Sequence, residues 1–345
     1  MKIAVGLSGG VDSSVVLLML KEQGYEVTGV HMQCWDYNEE GCTGERDKAD
    51  AVEICSYLNV PFKFLDFQKE YNERVIANFY SEYEAGRTPN PDILCNKEIK
   101  FGLFLDWAIK NGFDAVATGH YAKIINTDSF KLAIPKDTSK DQTYFLYRLD
   151  SEKLSKIMFP LGDLLKSEVK EIAFQNNLKN FNKPESMGIC FIGKINIKDF
   201  LKRRIKEHIG NVLSTSGDVI GKHKGVPFYT IGQRHGFEIF KYTGEPMYII
   251  AKNAFDNTLV VGNEEDAKRD EFLVTDISFV NENIKGKVNL NVRIRHLGDL
   301  HPATVLFENS QTYIKLKLKV FGVAPGQSCV FYSHEGILLG GGIIG

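Results

Sequence analysis

The sequence predicts an α/β protein: a doubly wound parallel sheet forms the N-terminal domain, and a small central domain and a C-terminal β-barrel follow. Three observations carry this expectation. Over about the first 120 residues, short β-branched runs alternate with stretches of helical periodicity, the pattern of a parallel sheet covered by helices. Glycines at 217, 221, 225, 232 and 236 then alternate with Val226, Phe228 and Ile231, as in a small β-rich module. From Phe272 onward the chain is almost purely strand-like. A chain of 345 residues exceeds what one core usually serves, and the divisions are expected at 1–195, 196–268 and 269–345.

Taken in order, Lys2 to Leu7 reads as a buried strand and Ser13 to Gln23 as a helix stopped by Gly24. Glu26 to Met32 is a second strand. Lys48 to Leu58 is a helix with Val52, Cys55 and Leu58 inward, and Phe62 to Leu65 is a third strand. Tyr71, Val75, Ile76, Phe79 and Tyr83 mark one face of a long helix. Another helix begins near Cys95 and carries Ile99, Leu103, Phe104 and Trp107, before a strand at Ala115 to Thr118. Lys166 to Asn176 is helical and Asn182 to Gly193 is a loop. Ile197, Phe200, Leu201, Ile205 and Ile209 then outline an amphipathic helix with Lys202, Arg203, Arg204 and Lys206 opposite. Five late strands are expected at Val288 to Ile294, Ala303 to Phe307, Tyr313 to Val320, Ser328 to Tyr332 and Gly336 to Ile344.

The first strand runs into Ser8-Gly9-Gly10-Val11-Asp12-Ser13, where two glycines allow close backbone approach and a helix begins, so phosphate would sit on a helix N-terminus. The usual phosphate loop needs Gly-x4-Gly-Lys-Ser/Thr, which this chain lacks. The order found instead resembles the pyrophosphatase-type loop of enzymes that split ATP into AMP and pyrophosphate. In a doubly wound sheet, ligands lie at the carboxyl ends of the strands. Ser8 to Ser13, Met32 and Gly119 all follow strand ends.

Composition sets wide limits. Hydrophobic content of 43% and charged content of 25% are ordinary for a soluble globular chain, and no run approaches the roughly 18 apolar residues of a membrane span. Met1 leads at once into the first strand, so no signal or transit peptide is expected and the cytoplasm is the default compartment. The net charge of −2 argues neither for nor against nucleic acid; its distribution says more. Asp36 to Glu53 holds seven acidic and two basic residues, whereas Lys194 to Lys224 holds eight basic and three acidic, and Lys285 to Lys319 seven basic and two acidic. A polyanion would bind across the later segments.

The six cysteines, at 34, 42, 55, 95, 190 and 329, form no C-x-x-C pair, which disfavours zinc ribbons and dithiol redox motifs; no protein-bound metal is expected. Cys95 ends the stiff Arg87-Thr-Pro-Asn-Pro-Asp-Ile-Leu-Cys loop at a helix start. The helix dipole and Lys97 are expected to lower its pKa and make it a nucleophile, with Asp92 near enough to act as acid or base. Cys190 sits in the glycine-bounded loop Pro184 to Gly193, whose mobility suits a sulfur carrier. Cys55 and Cys329 read as core, and Cys34 and Cys42 are left open.

Seven motifs occur in order: Ser8 to Ser13, Asn90-Pro-Asp-Ile-Leu-Cys-Asn96, Ala117-Thr-Gly-His-Tyr121, Lys140-Asp-Gln-Thr-Tyr-Phe-Leu146, Gly188-Ile-Cys-Phe-Ile-Gly193, Tyr229-Thr-Ile-Gly-Gln-Arg234 and Pro325-Gly-Gln327. With them the chain resembles the tRNA-specific 2-thiouridylases over its whole length. That resemblance implies an adenine nucleotide alpha hydrolase-like catalytic domain, a central domain and a barrel gripping the anticodon arm. It implies that ATP, with Mg2+, adenylates O2 of wobble uridine 34 and that sulfur from a cysteine persulfide then displaces AMP. The persulfide would reside on Cys190, supplied by a donor or relay protein. Cys95 would release the sulfur and form a transient disulfide with Cys190, and Asp92 would be the acid/base. Gly6, Leu7, Ser8, Gly9, Gly10, Val11, Asp12, Ser13, Met32 and Gly119 match ATP-contacting positions. Asn90, Pro91, Asp92, His120, Lys140, Asp141, Gln142, Arg293, Ile294 and Gln327 match positions that touch tRNA. Two departures stand out: Met187 replaces a small polar residue, and His235-Gly-Phe-Glu-Ile239 replaces Lys-Gly-Leu-Gly.

Three rivals share parts of this pattern. An ammonia-using ATP-pyrophosphatase amidoligase has the loop but needs no cysteine in each of two motifs. A 4-thiouridine synthetase carries an RNA-binding module before the loop, which here begins at residue 6. A non-catalytic nucleotide-binding protein leaves Cys95 and the basic segments unexplained.

Overall fold

The computed structural model describes residues 1–36, 44–184, 188, 190–192, 196–240, 244–308 and 311–345. Cys42, Met187 and Gly193, singled out above, lie outside the described residues.

The first sheet is parallel, in the order β3-β2-β1-β4-β7, with β1 Lys2–Gly6, β2 Glu26–Gln33, β3 Phe62–Asp66, β4 Ala115–Ala117 and β7 Ile157–Met158. Because β2 and β4 flank β1 on opposite sides, the strand order reverses between β1 and β4. That is where a doubly wound sheet opens a crevice for ligand. The helix Val11–Glu22 leaves the end of β1, and Val15, Val16, Leu17 and Leu20 bury its inner face.

Two helices on the sheet's other side are less regular than their periodicity implies. One runs through Gln68–Tyr71, Asn72–Ile76 and Ala77–Glu84, and the other through Pro91–Leu94, Cys95–Leu103 and Phe104–Lys110. In each the middle segment is π-helical, with i→i+5 bonding such as Phe104 N–H to Ile99 O. Tyr71, Val75, Ile76, Phe79 and Tyr83 are all buried, as their spacing predicts.

A hairpin that no sequence pattern announces, β5 Lys123–Asn126 and β6 Phe130–Ala133, leaves the N-terminal domain and joins the C-terminal sheet through β18. That sheet closes on itself in six strands: β13 Lys268–Phe279, β16 Gln311–Phe321, β15 His301–Glu308, β14 Gly286–Arg293, β17 Ser328–Tyr332 and β18 Ile337–Ile344, which pairs back with β13. The central module is a separate five-stranded sheet, in the order β10-β9-β8-β12-β11, built from β8 Gly210–Leu213, β9 Val219–His223, β10 Glu238–Ile239, β11 Tyr248–Asn253 and β12 Thr258–Gly262.

Two expectations need correction. Val52 faces solvent, while Cys55 and Leu58 face the core as predicted. The amphipathic helix stops at Lys202 rather than reaching Ile209, which is 62% exposed. His208 N–H bonds to Lys224 O, drawing the chain into strand pairing before another helical turn can form. Among the described residues, no helix is long and apolar enough to cross a membrane.

The N-terminal domain and the barrel share a buried seam. Asp141, fully buried, accepts from Arg293 Nη1 at 2.5 Å and from Thr143 N and Oγ1 at 2.9 and 2.6 Å. Gln327 Nε2 donates to Thr88 O at 2.8 Å, and Thr88 N–H donates to Pro325 O. Removing one partner of a buried ion pair strands the other, at a cost of about 3–5 kcal/mol. Arg293→Met is therefore expected to lower the thermal midpoint sharply. Adding Asp141→Asn should restore part of the loss, as calorimetry of the single and double variants would show.

Candidate active site

At the nucleotide end, Gly10 caps the first helix with extended backbone, and its carbonyl accepts from Ser13 Oγ at 3.1 Å and Ser14 Oγ at 3.0 Å. Ser8 N–H reaches back to Ser13 Oγ at 3.3 Å, so the loop folds around an exposed Ser8. Gly9 has φ +73, and a Cβ on it would stand 2.5 Å from Asp47 O. A Cβ on Gly119 would lie 2.9 Å from Ser13 N, so the loop after β4 presses directly on the loop after β1. Met32 and Thr118 close over Gly6, each with an atom 3.5 Å from where its Cβ would be. The structure thus brings the predicted ATP positions from three strand ends together at the crevice.

The missing lysine of this loop is answered from far along the chain. Lys166 Nζ pairs with both Asp12 oxygens at 2.6 and 2.7 Å, and Tyr121 OH also donates to Asp12. Lys183 Nζ donates to Gly9 O at 3.1 Å while pairing with Asp47 and Asp50. Asn180 Nδ2 donates to Gly9 O and to Ser14 Oγ. No local spacing could reveal side chains that arrive from more than 100 residues away.

The sulfur end is assembled from four elements. Asn90 caps the helix at Pro91, its Oδ1 accepting Asp92 N–H at 3.1 Å. Asp92 Oδ1 accepts Cys190 N–H at 2.9 Å, and Tyr71 OH donates to Cys190 O at 2.7 Å, so the Cys190 loop is docked by its backbone. Phe191, the next residue, holds φ +67, a left-handed conformation that a bulky side chain adopts only under constraint. Cys95 and Cys190 are both free thiols within hydrogen-bond reach of each other, and Cys34 lies in the same electrostatic neighbourhood.

The charge logic differs from expectation. Cys95 is the fifth residue of its helix, past the first turn and fully buried, and burial pushes its thiol well above the usual range. The sulfur that is lowered is Cys190, to about 7. The hydrogen bond from Cys95 is the largest cause, burial opposes it, and the Lys100 charge adds to it. Lys97, the expected cation, pairs with Glu98 at 3.1 Å. Asp92 is raised by burial, tempered by its bond from Cys190 N–H and by Lys100, which suits a group that must take up and return a proton.

The expected tRNA positions divide into two sets. Asn90 and Asp92 belong to the sulfur site, Lys140 and Gln142 are partly exposed on either side of Asp141, and partly exposed Gln327 bonds to Thr88 O. Pro91, Asp141, Arg293, Ile294 and His120 are buried, with Asp141 and Arg293 spent on each other. In this structure these five pack into the seam and the sulfur end of the site.

Three family models match in order: the tRNA methyl transferase HUP domain over residues 1–194, the tRNA methyl transferase PRC-barrel domain over 198–263 and the aminomethyltransferase beta-barrel domain over 269–344. The tRNA-specific 2-thiouridylase MnmA of Staphylococcus epidermidis is 42% identical over 354 residues, covering 99% of this chain and 95% of that protein. The protein of the same name from Bacillus licheniformis is 42% identical over 352 residues, covering 99% and 94%. MnmA 1 of Geobacillus kaustophilus is 42% identical over 353 residues, covering 99% and 95%.

Proposed function

The chain belongs to the tRNA-specific 2-thiouridylase family, and from that premise we propose how its residues carry out the reaction. It is a sulfurtransferase that acts on tRNA. The observation that carries the mechanism is the Cys190 backbone docked on Asp92 and Tyr71 beside the helix of Cys95, linked through Lys100, His120, Thr118 and Gly6 to the pyrophosphatase-type loop.

In this reading ATP lies across Gly6, Leu7, Ser8, Gly9, Gly10, Val11, Asp12 and Ser13, with Met32 and Gly119 closing the crevice. Magnesium would belong to the ATP it accompanies, since both Asp12 oxygens are already paired with Lys166. O2 of wobble uridine 34 attacks the α-phosphorus and pyrophosphate leaves. A carbonyl oxygen is a poor leaving group; AMP is a good one.

Cys190, the more acidic thiol, receives sulfur from a persulfide donor protein and becomes the persulfide. Asp92 takes the Cys95 proton as Cys95 sulfur attacks Cys190 sulfur. The S–S bond to the terminal sulfur breaks and hydrosulfide leaves. Hydrosulfide attacks C2, AMP departs, and 2-thiouridine is formed. Cys95 and Cys190 remain as a disulfide, which two electrons from a thiol reductant reset.

We assign 1–195 to catalysis, 196–268 to the central domain and 269–345 to tRNA grip. Asn90, Lys140, Gln142 and Gln327 are the tRNA-facing side chains, and Pro91, Asp92, His120, Asp141, Arg293 and Ile294 hold that face in shape. The cytoplasm supplies the substrates and the reducing conditions that such a cycle needs.

Purified protein given ATP, magnesium, a persulfide donor and unmodified tRNA is expected to release pyrophosphate when tRNA is added and not when ammonia is added. Release driven by ammonia would favour the amidoligase instead.

A further inference from the structure

The sulfur site holds one cation whose role the family resemblance leaves unassigned. Lys100 is five residues beyond Cys95 and is partly buried. Among the described residues, no carboxylate pairs with it; it bonds to His120 Nε2 at 3.3 Å and its charge acts on the Cys190 sulfur. An ammonium has no lone pair, so Lys100 donates and His120 Nε2 accepts. The other ring nitrogen, Nδ1, must then carry the proton it gives to Thr118 Oγ1 at 2.8 Å. Burial, and then the Lys100 charge, hold His120 well below its ordinary range, so the ring stays neutral. The aromatic face of Phe191 lies 5.9 Å from the same ammonium.

We propose that Lys100 is a catalytic residue, the fixed cation that holds Cys190, its persulfide and the departing sulfide as anions, with Thr118 and His120 as the positioning residues that aim it. A cation withdrawn from water needs an anionic partner, and here the partner is sulfur. Burial alone would lower Lys100, but the Cys190 charge, first among its neighbours, more than offsets it and the net direction is upward. Lys100 therefore keeps its proton throughout and works as charge, not as acid.

The other titratable groups facing Cys190 are Asp92 and Cys95 from the same helix, Tyr71 from the helix before it, Cys34 from the end of β2 and His120 from the end of β4. Of these, Asp92 is anionic when ionised and disfavours the thiolate, and Cys95 helps by its hydrogen bond. Lys100 supplies the only full positive charge among these groups.

The inference rests on the sulfur-transfer reading, but its test does not need turnover. Alkylation of Cys190 by iodoacetamide, followed by peptide mass spectrometry between pH 5.5 and 9, reads the thiolate directly. Wild type is expected to show a midpoint of about 7. In Lys100→Met the midpoint should rise by about one unit or more, with roughly tenfold slower labelling at neutral pH. Lys100→Arg, which keeps the charge, should remain near wild type. An unchanged profile in folded Lys100→Met would overturn the proposal, as would equal shifts in both variants. A shifted profile in a protein that makes no 2-thiouridine would leave Lys100's role standing and the reaction assignment fallen.

Discussion

Cys190→Ala is expected to abolish 2-thiouridine formation, with a loss of about a thousandfold or more, while pyrophosphate release stimulated by tRNA falls far less. The two ends of the site do separable chemistry. In the proposed reaction adenylation uses the loop at the ends of β1 and β4, whereas sulfur leaves from Cys190, whose backbone is docked on Asp92. Cys190→Ser tests the same point more strictly, because it keeps the volume and the backbone bonds to Asp92 and Tyr71 but cannot carry a persulfide. Full thiolation by either variant would remove Cys190 from the mechanism.

The pH dependence of that step has a definite sign. With Cys190 lowered from its ordinary 9.0 to about 7, the thiolate fraction, and with it the loading rate, should fall as pH drops through 7. The same shift contributes stability that is full above pH 9 and is lost as pH falls through about 7.

Gly9→Ala is expected to suppress pyrophosphate release about a hundredfold. At φ +73 a Cβ costs about 1–2 kcal/mol. The added carbon would also stand 2.5 Å from Asp47 O and 2.8 Å from Asp47 Cα. Both are backbone atoms, so the loop must move, and a shift of about 1 Å near a reacting centre is enough for a loss of that size. Gly10→Ala is the control: its Cβ would meet only Ser8 Oγ, at 3.4 Å, and Gly10 has an ordinary negative φ. Steady-state pyrophosphate assays should rank the two clearly apart. Equal losses would mean that the steric reading of the loop is wrong.

Much of this architecture is legible in the order of residues because the catalytic sheet is built from local patterns. The run Lys2 to Leu7, the glycines after it and the periodic helix beyond declare strand, turn and helix without reference to anything distant. The barrel strands are legible for the same reason. Beyond them, contacts set by the tertiary structure decide. Lys97 is the nearer cation to Cys95 in sequence, yet on a regular helix neither it, about 160° round, nor Lys100, about 140° round, would share a face with Cys95. The π-helical stretch Cys95–Leu103 widens the turn, and no composition or period announces such a stretch. Likewise, Cys95 reads as a helix start only if Pro91 is taken for loop; Asn90 caps the helix one turn earlier and leaves Cys95 buried within it. Lys166 and Lys183 reach the nucleotide loop through the fold alone.

The most direct measurement loads Cys190 with a persulfide carrying isotopically labelled terminal sulfur, removes the donor, and adds ATP, magnesium and unmodified tRNA for a single turnover. Mass spectrometry should find the label in 2-thiouridine at position 34, in equal amount to a new Cys95–Cys190 disulfide in the protein. Labelled 2-thiouridine formed without that disulfide, or by a Cys95→Ala variant at the wild-type rate, would contradict the transfer route; unlabelled product would contradict Cys190 as the carrier.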